Sequence, residues 1–204
     1  QTATAATAAA TAGTTMYGLT ELGGLVAGES WVVIGPGPIG LLGVAVAKAL
    51  GADPVILIGT RNDRLEIGKK LGADFVLNVK DENDIVNSVK SLVGGLGADY
   101  VVECAGTEKA LDDAIMMTNR GGKICLAAFP HDPIKVNIPH MVINNIYMYG
   151  IRGEGKSATH RAMAFMKQKR FNAKLVHTHT FKMNELPTAL KYARERIDGA
   201  IKVV

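Results

Sequence analysis

Runs of β-branched and aliphatic residues recur along the chain, and between them apolar positions fall at helical spacing. From Glu29 onward the strand candidates are Trp31–Ile34, Val55–Ile58, Phe75–Val79, Tyr100–Cys104, Ile124–Ala127 and Ile146–Gly150. Several are apolar at successive rather than alternate positions, as in strands buried on both faces of a parallel sheet. The helix candidates stop at glycines. Pro38–Leu50 is apolar almost all round, with only Lys48 charged, and Gly51 ends it. The next helix starts near Asn62 or Asp63, with Asp63 and Glu66 at capping-box spacing, and ends at Gly72. A third puts Ile85, Val86, Val89, Leu92 and Val93 on one face before Gly94-Gly95. A fourth, capped by Thr107, turns Leu111, Ala114 and Ile115 inward and ends at Gly121-Gly122. Strands and helices alternating at this length predict crossover connections, hence an α/β fold with a doubly wound parallel sheet of the Rossmann type.

The pattern loosens outside this block. Ser157 can cap a helix carrying Ala162, Phe165 and Met166, and Asn184 another with Leu186, Ala189, Leu190 and Ala193 on one side. Asp198-Gly199 then turns the chain into a final strand, Ala200–Val204. At the other end, residues 1–12 contain only Gln, Thr and Ala, a run compatible with a helix, a linker or a cloning remnant. The expected division is therefore an Ala/Thr-rich segment and lead-in helix over 1–22, a sheet domain over 23–174 and a tail over 175–204.

Composition changes this picture little. Hydrophobic residues make up 48% and charged residues 21% of the chain, as in ordinary globular proteins. A dispersed net charge of +4 and few aromatics give no reason to expect nucleic acid or membrane as a partner. No apolar stretch approaches the ~20 residues of a bilayer-spanning helix, and no charged-then-apolar leader opens the chain, so a soluble cytoplasmic protein is expected. Cys104 and Cys125 lie in apolar runs without metal-knuckle spacing and read as reduced, buried thiols.

The chemistry centres on Gly35-Pro36-Gly37-Pro38-Ile39-Gly40. A lone GxGxxG is weak evidence, but this one follows a strand and opens a helix, the context a dinucleotide site requires. Gly35 permits the tight turn, Gly37 lets backbone approach a pyrophosphate, and Gly40 lets the helix pack on the strand. The first helical N–H groups and the positive end of the helix dipole would meet the phosphates. NAD-binding units place an acidic residue about 20 residues beyond this motif for the ribose 2′-hydroxyl. Here the segment reads Gly59-Thr60-Arg61-Asn62-Asp63-Arg64, with no carboxylate at Gly59 or Thr60. Arg61 and Arg64, with the Thr60 hydroxyl, suit a 2′-phosphate. The alternative is that both arginines are solvated and Asp63 bends back to the ribose. NADP is favoured over NAD, and both stay open.

The stretch from Gly13 to Val204 resembles the C-terminal part of the medium-chain, zinc-dependent alcohol and polyol dehydrogenases. Besides the glycine turn, the likeness lies in Gly72-Ala73-Asp74, in Gly97 to Gly106 (GADYVVECAG), in Asn119-Arg120-Gly121-Gly122-Lys123-Ile124 and in the closing Ile201-Lys202-Val203-Val204. The nearest branch is that of the sorbitol, threonine and tetritol (erythritol or threitol) dehydrogenases. The resemblance implies that Pro38 and Ile39 lie along the pyrophosphate and that Arg64 reaches the adenosine side. It puts Cys104, Ala105 and Gly106 at the cofactor cleft. It sets the backbone of Ala127, Ala128 and Phe129, and of Gly150, Ile151 and Arg152, against the nicotinamide carboxamide. It also implies a homodimer or homotetramer in which the Ile146–Gly150 strand pairs with its twin across a two-fold axis.

The family's zinc polarises the alcohol oxygen, and its ligands, including a histidine in Gly-His-Glu, lie ahead of the cofactor domain. None of those motifs occurs here. His177 and His179 alternate along a strand, while His131, His140 and His160 are scattered, so no bound metal is expected. Glu154 and Lys156 are expected in a polar loop near the cleft mouth, and the tail from about Leu175 to be mobile or packed in a substitute way. The first reading is thus the cofactor-binding portion of an NAD(P)-linked alcohol or polyol dehydrogenase, unable to turn over alone and with no catalytic residue in this chain. The alternatives are a stand-alone dinucleotide-sensing domain acting through oligomerisation, and a zinc-free reductase of the same superfamily.

Overall fold

A computed structural model describes residues 2–204; Gln1, the first residue of the Ala/Thr-rich run, lies outside the described residues. Six strands form one parallel sheet in the order β3-β2-β1-β4-β5-β6, with β1 Trp31–Ile34, β2 Val55–Gly59, β3 Phe75–Asn78, β4 Ala98–Glu103, β5 Thr118–Leu126 and β6 Tyr147–Gly150. The apolar runs have the cause expected of them. Trp31, Val33, Val55, Leu57, Tyr100 and Val102 face one core, and Val32, Ile34, Ile56, Ile58 and Val101 face the other. In β1, β2 and most of β4 a residue is therefore dry whichever way it points, and alternation has nothing to mark.

One core is roofed by α1 (Thr2–Met16), α2 (Pro38–Ala49), α3 (Asn62–Leu71) and α7 (Ala158–Lys167). The other is roofed by α4 (Ile85–Leu92) and α5 (Glu108–Met117), with α6 (Ile138–Asn144) beside them. The Ala/Thr-rich run is α1, continued by a wide turn over Tyr17–Leu22, and Ala8, Ala12 and Met16 are buried in it. Small residues suit it because α7 crosses closely: a Cβ on Gly13 would lie 2.4 Å from Thr159 Oγ1. At the sheet centre the Trp31 and Tyr100 rings lie 3.9 Å apart, and Tyr100 donates to the Gly18 carbonyl at 3.1 Å.

Several boundaries differ from expectation. α5 stops at Met117 and runs straight into β5, which begins at Thr118. Gly121-Gly122 is not a helix stop; it belongs to a register shift between Ala98↔Thr118 and Tyr100↔Lys123, where Gly121 takes φ +75°. The Asp63–Glu66 capping box does not form: α3 is entered at Arg61, which makes no side-chain cap, and Glu66 pairs with Lys69 at 2.8 Å. Thr107 does cap α5, accepting from the Ala110 N–H at 3.2 Å. Ser157 makes no cap bond, because its hydroxyl turns to Glu21 at 3.1 Å. Asn184 lies inside a 3₁₀ turn, Met183–Glu185, ahead of α8 (Leu186–Glu195), and there Glu185 accepts from the Lys182 N–H at 2.9 Å.

The tail has its own structure. β7 (His177–His179) and β8 (Lys202–Val203) form a two-stranded parallel sheet. It is held to the body by His177 Nδ1 and Thr4 Oγ1 at 2.8 Å, and by Arg64 Nη2 donating to the Ala200 carbonyl at 2.7 Å. Among the described residues no helix is long and apolar enough to cross a membrane.

Candidate functional site

The C-terminal ends of β1, β2 and β4 are tied together by main-chain bonds. Gly35 N–H donates to the Ile58 carbonyl at 2.9 Å, and Cys104 N–H to the Ile34 carbonyl at 2.8 Å. In open α/β sheets this is the edge where ligands bind. The glycine turn is built as its spacing predicts. Gly35 holds φ +104°, and a Cβ there would sit 3.0 Å from Ala105 N, so both the conformation and the close approach exclude other residues. A Cβ on Gly40 would lie 2.1 Å from the Gly35 carbonyl oxygen, which is how tightly α2 folds back on its own strand. Gly37, the N-cap of α2, has nothing within 4 Å of its Cβ direction. Pro38 follows at the first helical turn, where no N–H is missed.

A cavity of about 520 Å³ opens here. One wall is the turn with Gly35 and Gly37; the next is the end of β2 with Gly59, Thr60 and Arg61; a third carries Cys104 and Ala105. Thr107, Lys109 and Asp113 of α5 line the far side, where Lys109 and Asp113 form an ion pair. Arg64 and Arg196 also line it.

Arg64 is buried. Besides Ala200, it reaches the Pro36 carbonyl at 3.4 Å, and its Nε finds no partner. Burial, then the charges of Arg61 and Arg196, pull its pKa down, and Asp63 partly opposes them. Glu103 ends β4 and accepts from Ala105 N–H at 2.6 Å and Gly106 N–H at 2.8 Å, which shapes the loop on the third wall. Its burial outweighs those bonds and raises its carboxyl pKa. Burial, with Cys125 and Glu103 nearby, keeps the half-buried Cys104 a thiol.

The other residues singled out from sequence lie on the same edge of the sheet, beyond the cavity wall. Pro38, Ile39 and Gly40 are the first turn of α2. Ala127 and Ala128 donate to the Glu103 carbonyl at 2.8 and 3.1 Å, and a Cβ on Gly106 would lie 3.2 Å from that of Ala128, while Phe129 is 82% exposed. Ile151 N–H donates to the Leu126 carbonyl at 3.0 Å, which sets Gly150, Ile151 and Arg152 beside that segment. Sequence reading did not reveal Arg196, Lys109 or Asp113 as neighbours of the site. Arg196 comes from the far end of the chain, and the other two look like ordinary helix-surface charges.

His177 and His179 have partners in the tail and α1. His177 meets Thr4 and Thr180, and His179 bonds Thr178, stacks on Phe181 and lies tilted against Tyr192. Among the described residues no three His, Cys, Asp or Glu side chains are grouped to hold a metal ion, so the residues present do not fit a zinc centre. The Gly153–Lys156 loop rests on Tyr17 and Glu21, away from the cavity wall.

Residues 38–168 match the family described as zinc-binding dehydrogenase. The chain is 33% identical over 187 residues to an L-threonine 3-dehydrogenase of Bacillus licheniformis, covering 91% of this chain and 54% of that protein. It is 30% identical over 178 residues to a sorbitol dehydrogenase of Bacillus subtilis, covering 87% and 50%. An alcohol dehydrogenase from Thermotoga maritima superposes with a TM-score of 0.87 at 28% identity, over 95% of this chain and 54% of the other. A 2R,3R-butanediol dehydrogenase from Bacillus subtilis, at 24% identity and a TM-score of 0.87, shares the fold. The chain thus spans about half the length of the curated relatives it matches.

Proposed function

Because the chain belongs to the zinc-binding dehydrogenase family, we propose that it is the dinucleotide-binding part of an oxidoreductase that moves a hydride between a secondary alcohol or polyol and NAD(P). The observation that carries this reading is the 520 Å³ cavity beside the Gly35–Gly40 turn, where the ends of β1, β2 and β4 converge and Gly37 leaves open space. When bound, the nicotinamide supplies a hydride donor or acceptor. The chain's own part is to hold it. The first turn of α2, with Gly37, Pro38 and Ile39, faces the pyrophosphate; Gly59, Thr60 and Arg61 take the adenosine ribose. Cys104 to Gly106 form the cleft wall, and the backbone of Ala127–Phe129 and Gly150–Arg152 meets the carboxamide. NADP is favoured over NAD because arginines, not a carboxylate, follow β2.

Zinc and the proton relay belong, in this reading, to residues other than those described, and the chain alone binds dinucleotide without turnover. Residues 175–204 are assigned to the catalytic domain, 23–174 to the cofactor domain and 1–22 to a lead-in segment. The protein assembles as a homo-oligomer through β6 and works in the cytoplasm, in keeping with two free thiols.

Gly37→Val tests the cleft. The new side chain points into open space, so the melting temperature should hold while NADH and NADPH affinity falls at least tenfold by direct titration. Unchanged affinity for both would remove the pyrophosphate from this turn, and alcohol oxidation by the chain alone would refute the division of labour.

A further inference from the structure

Three arginines line the cavity, close enough for the charges of two to act on the third, and only two of them come from the segment after β2. Arg61 precedes α3, Arg64 sits in its first turn, and Arg196 arrives from the tail just past α8. Arg61 and Arg196 both repel the charge on Arg64, and Asp63 is the carboxylate that counters them. None of the ion pairs among the described residues involves any of the three arginines, and Lys109 on the same cavity is already paired with Asp113. Three like charges on a partly dry wall, with Asp63 as a single opposing charge and no ion pair to any of them, are relieved by an anion shared among them.

The three differ in freedom. Arg64 is bound to the Ala200 carbonyl, and it fastens the tail against the cavity. Arg61 and Arg196 make no side-chain hydrogen bond among the described residues, so both can turn toward a ligand. Arg196 also holds φ 57° and ψ 37°, left-handed values that a non-glycine residue seldom adopts. Asn145, Lys169 and Asp198 share that conformation, so the backbone does not single Arg196 out; it does mean that glycine would fit there without strain.

We infer that Arg196 is a specificity-determining residue for the dinucleotide: its guanidinium and that of Arg61 close on a phosphate at the 2′ position of the adenosine ribose, while Arg64 positions the tail that brings Arg196 there. This rests on the dinucleotide reading proposed above. Cofactor choice is then divided between the loop after β2 and a tail that sequence order places far from it.

The test is a titration of the full chain with adenosine 2′,5′-bisphosphate and with 5′-AMP. The two differ only in the 2′-phosphate. Arg196→Gly is the informative variant, because glycine accepts the left-handed backbone and the melting temperature should not fall. It is expected to weaken the bisphosphate by about tenfold or more, as loss of a charge-assisted contact does, with 5′-AMP within about twofold. Arg196→Lys should recover part of the loss. An unchanged ratio of the two affinities in Arg196→Gly would overturn the inference. So would a wild-type chain that binds both nucleotides equally, although the dinucleotide cleft would stand. A chain that binds neither would overturn the cleft as well.

Discussion

Glu103 illustrates how a single side chain can serve a loop at the expense of the fold. Its carboxylate collects the Ala105 and Gly106 N–H groups and so sets the third wall of the cavity, yet burial raises its pKa above the ordinary value. A carboxyl whose folded pKa is raised weakens the fold wherever it is ionised. That penalty is complete above the folded pKa and fades as pH drops toward the unfolded value of about 4.3. Glu103→Gln keeps an acceptor oxygen and drops the charge. It should therefore raise stability near pH 7 and lose that advantage near pH 4, as read by urea midpoints at the two pH values. A gain that persisted at pH 4 would mean that ionisation is not its source.

At the scale of the element, α2 carries two glycines with opposite meanings. Gly40 faces the Gly35 carbonyl at a distance no Cβ can occupy, whereas a Cβ on Gly43 would meet only Thr15 Cγ2 at an ordinary 3.6 Å. Gly43→Ala should stabilise the chain by about 0.5–1 kcal/mol through helix propensity. Gly40→Ala should destabilise it by about 1–3 kcal/mol despite the same propensity gain. Chemical denaturation of the pair measures both signs. The GxGxxG spacing made Gly40 legible before any coordinates, and nothing in the sequence separates Gly43 from it except that spacing. The central strands β1, β2 and β4 were legible for a similar reason: buried on both faces, they show nearly unbroken apolar runs. The end of α5 was not, because Gly121-Gly122 looks the same as a helix stop and as a kink within a strand. Caps failed where a side chain had a better partner across the fold, as Ser157 has in Glu21.

At the scale of the whole molecule, the sheet ends at β6, and the apolar exposure there is concentrated: Val142 and Ile143 on α6 are 69% and 72% exposed, and Tyr147 on β6 is 54% exposed. A second copy pairing along β6 would cover them and remove an open edge. If the proposed pairing along β6 holds, Val142→Glu combined with Ile143→Glu should lower the mass seen by sedimentation without lowering the affinity for dinucleotide. A mass unchanged by both charges would move the interface elsewhere. Arg196 belongs to this scale too. Its neighbourhood with Arg61 is created by the path of the whole chain, which is why local patterns in the sequence could not show it.

The buried pair at the sheet centre gives the molecule an optical label of its own. Trp31 is the single tryptophan, wholly enclosed, with Tyr100 3.9 Å away and its indole N–H unpartnered. Its emission should be that of an indole shielded from water, shifting to longer wavelength only when β1 comes apart. The far-ultraviolet signal of the helices also senses α8 and the region around the small β7–β8 sheet. Following both during heating separates loss of the tail from loss of the nucleotide-binding core, with no label added and no residue changed.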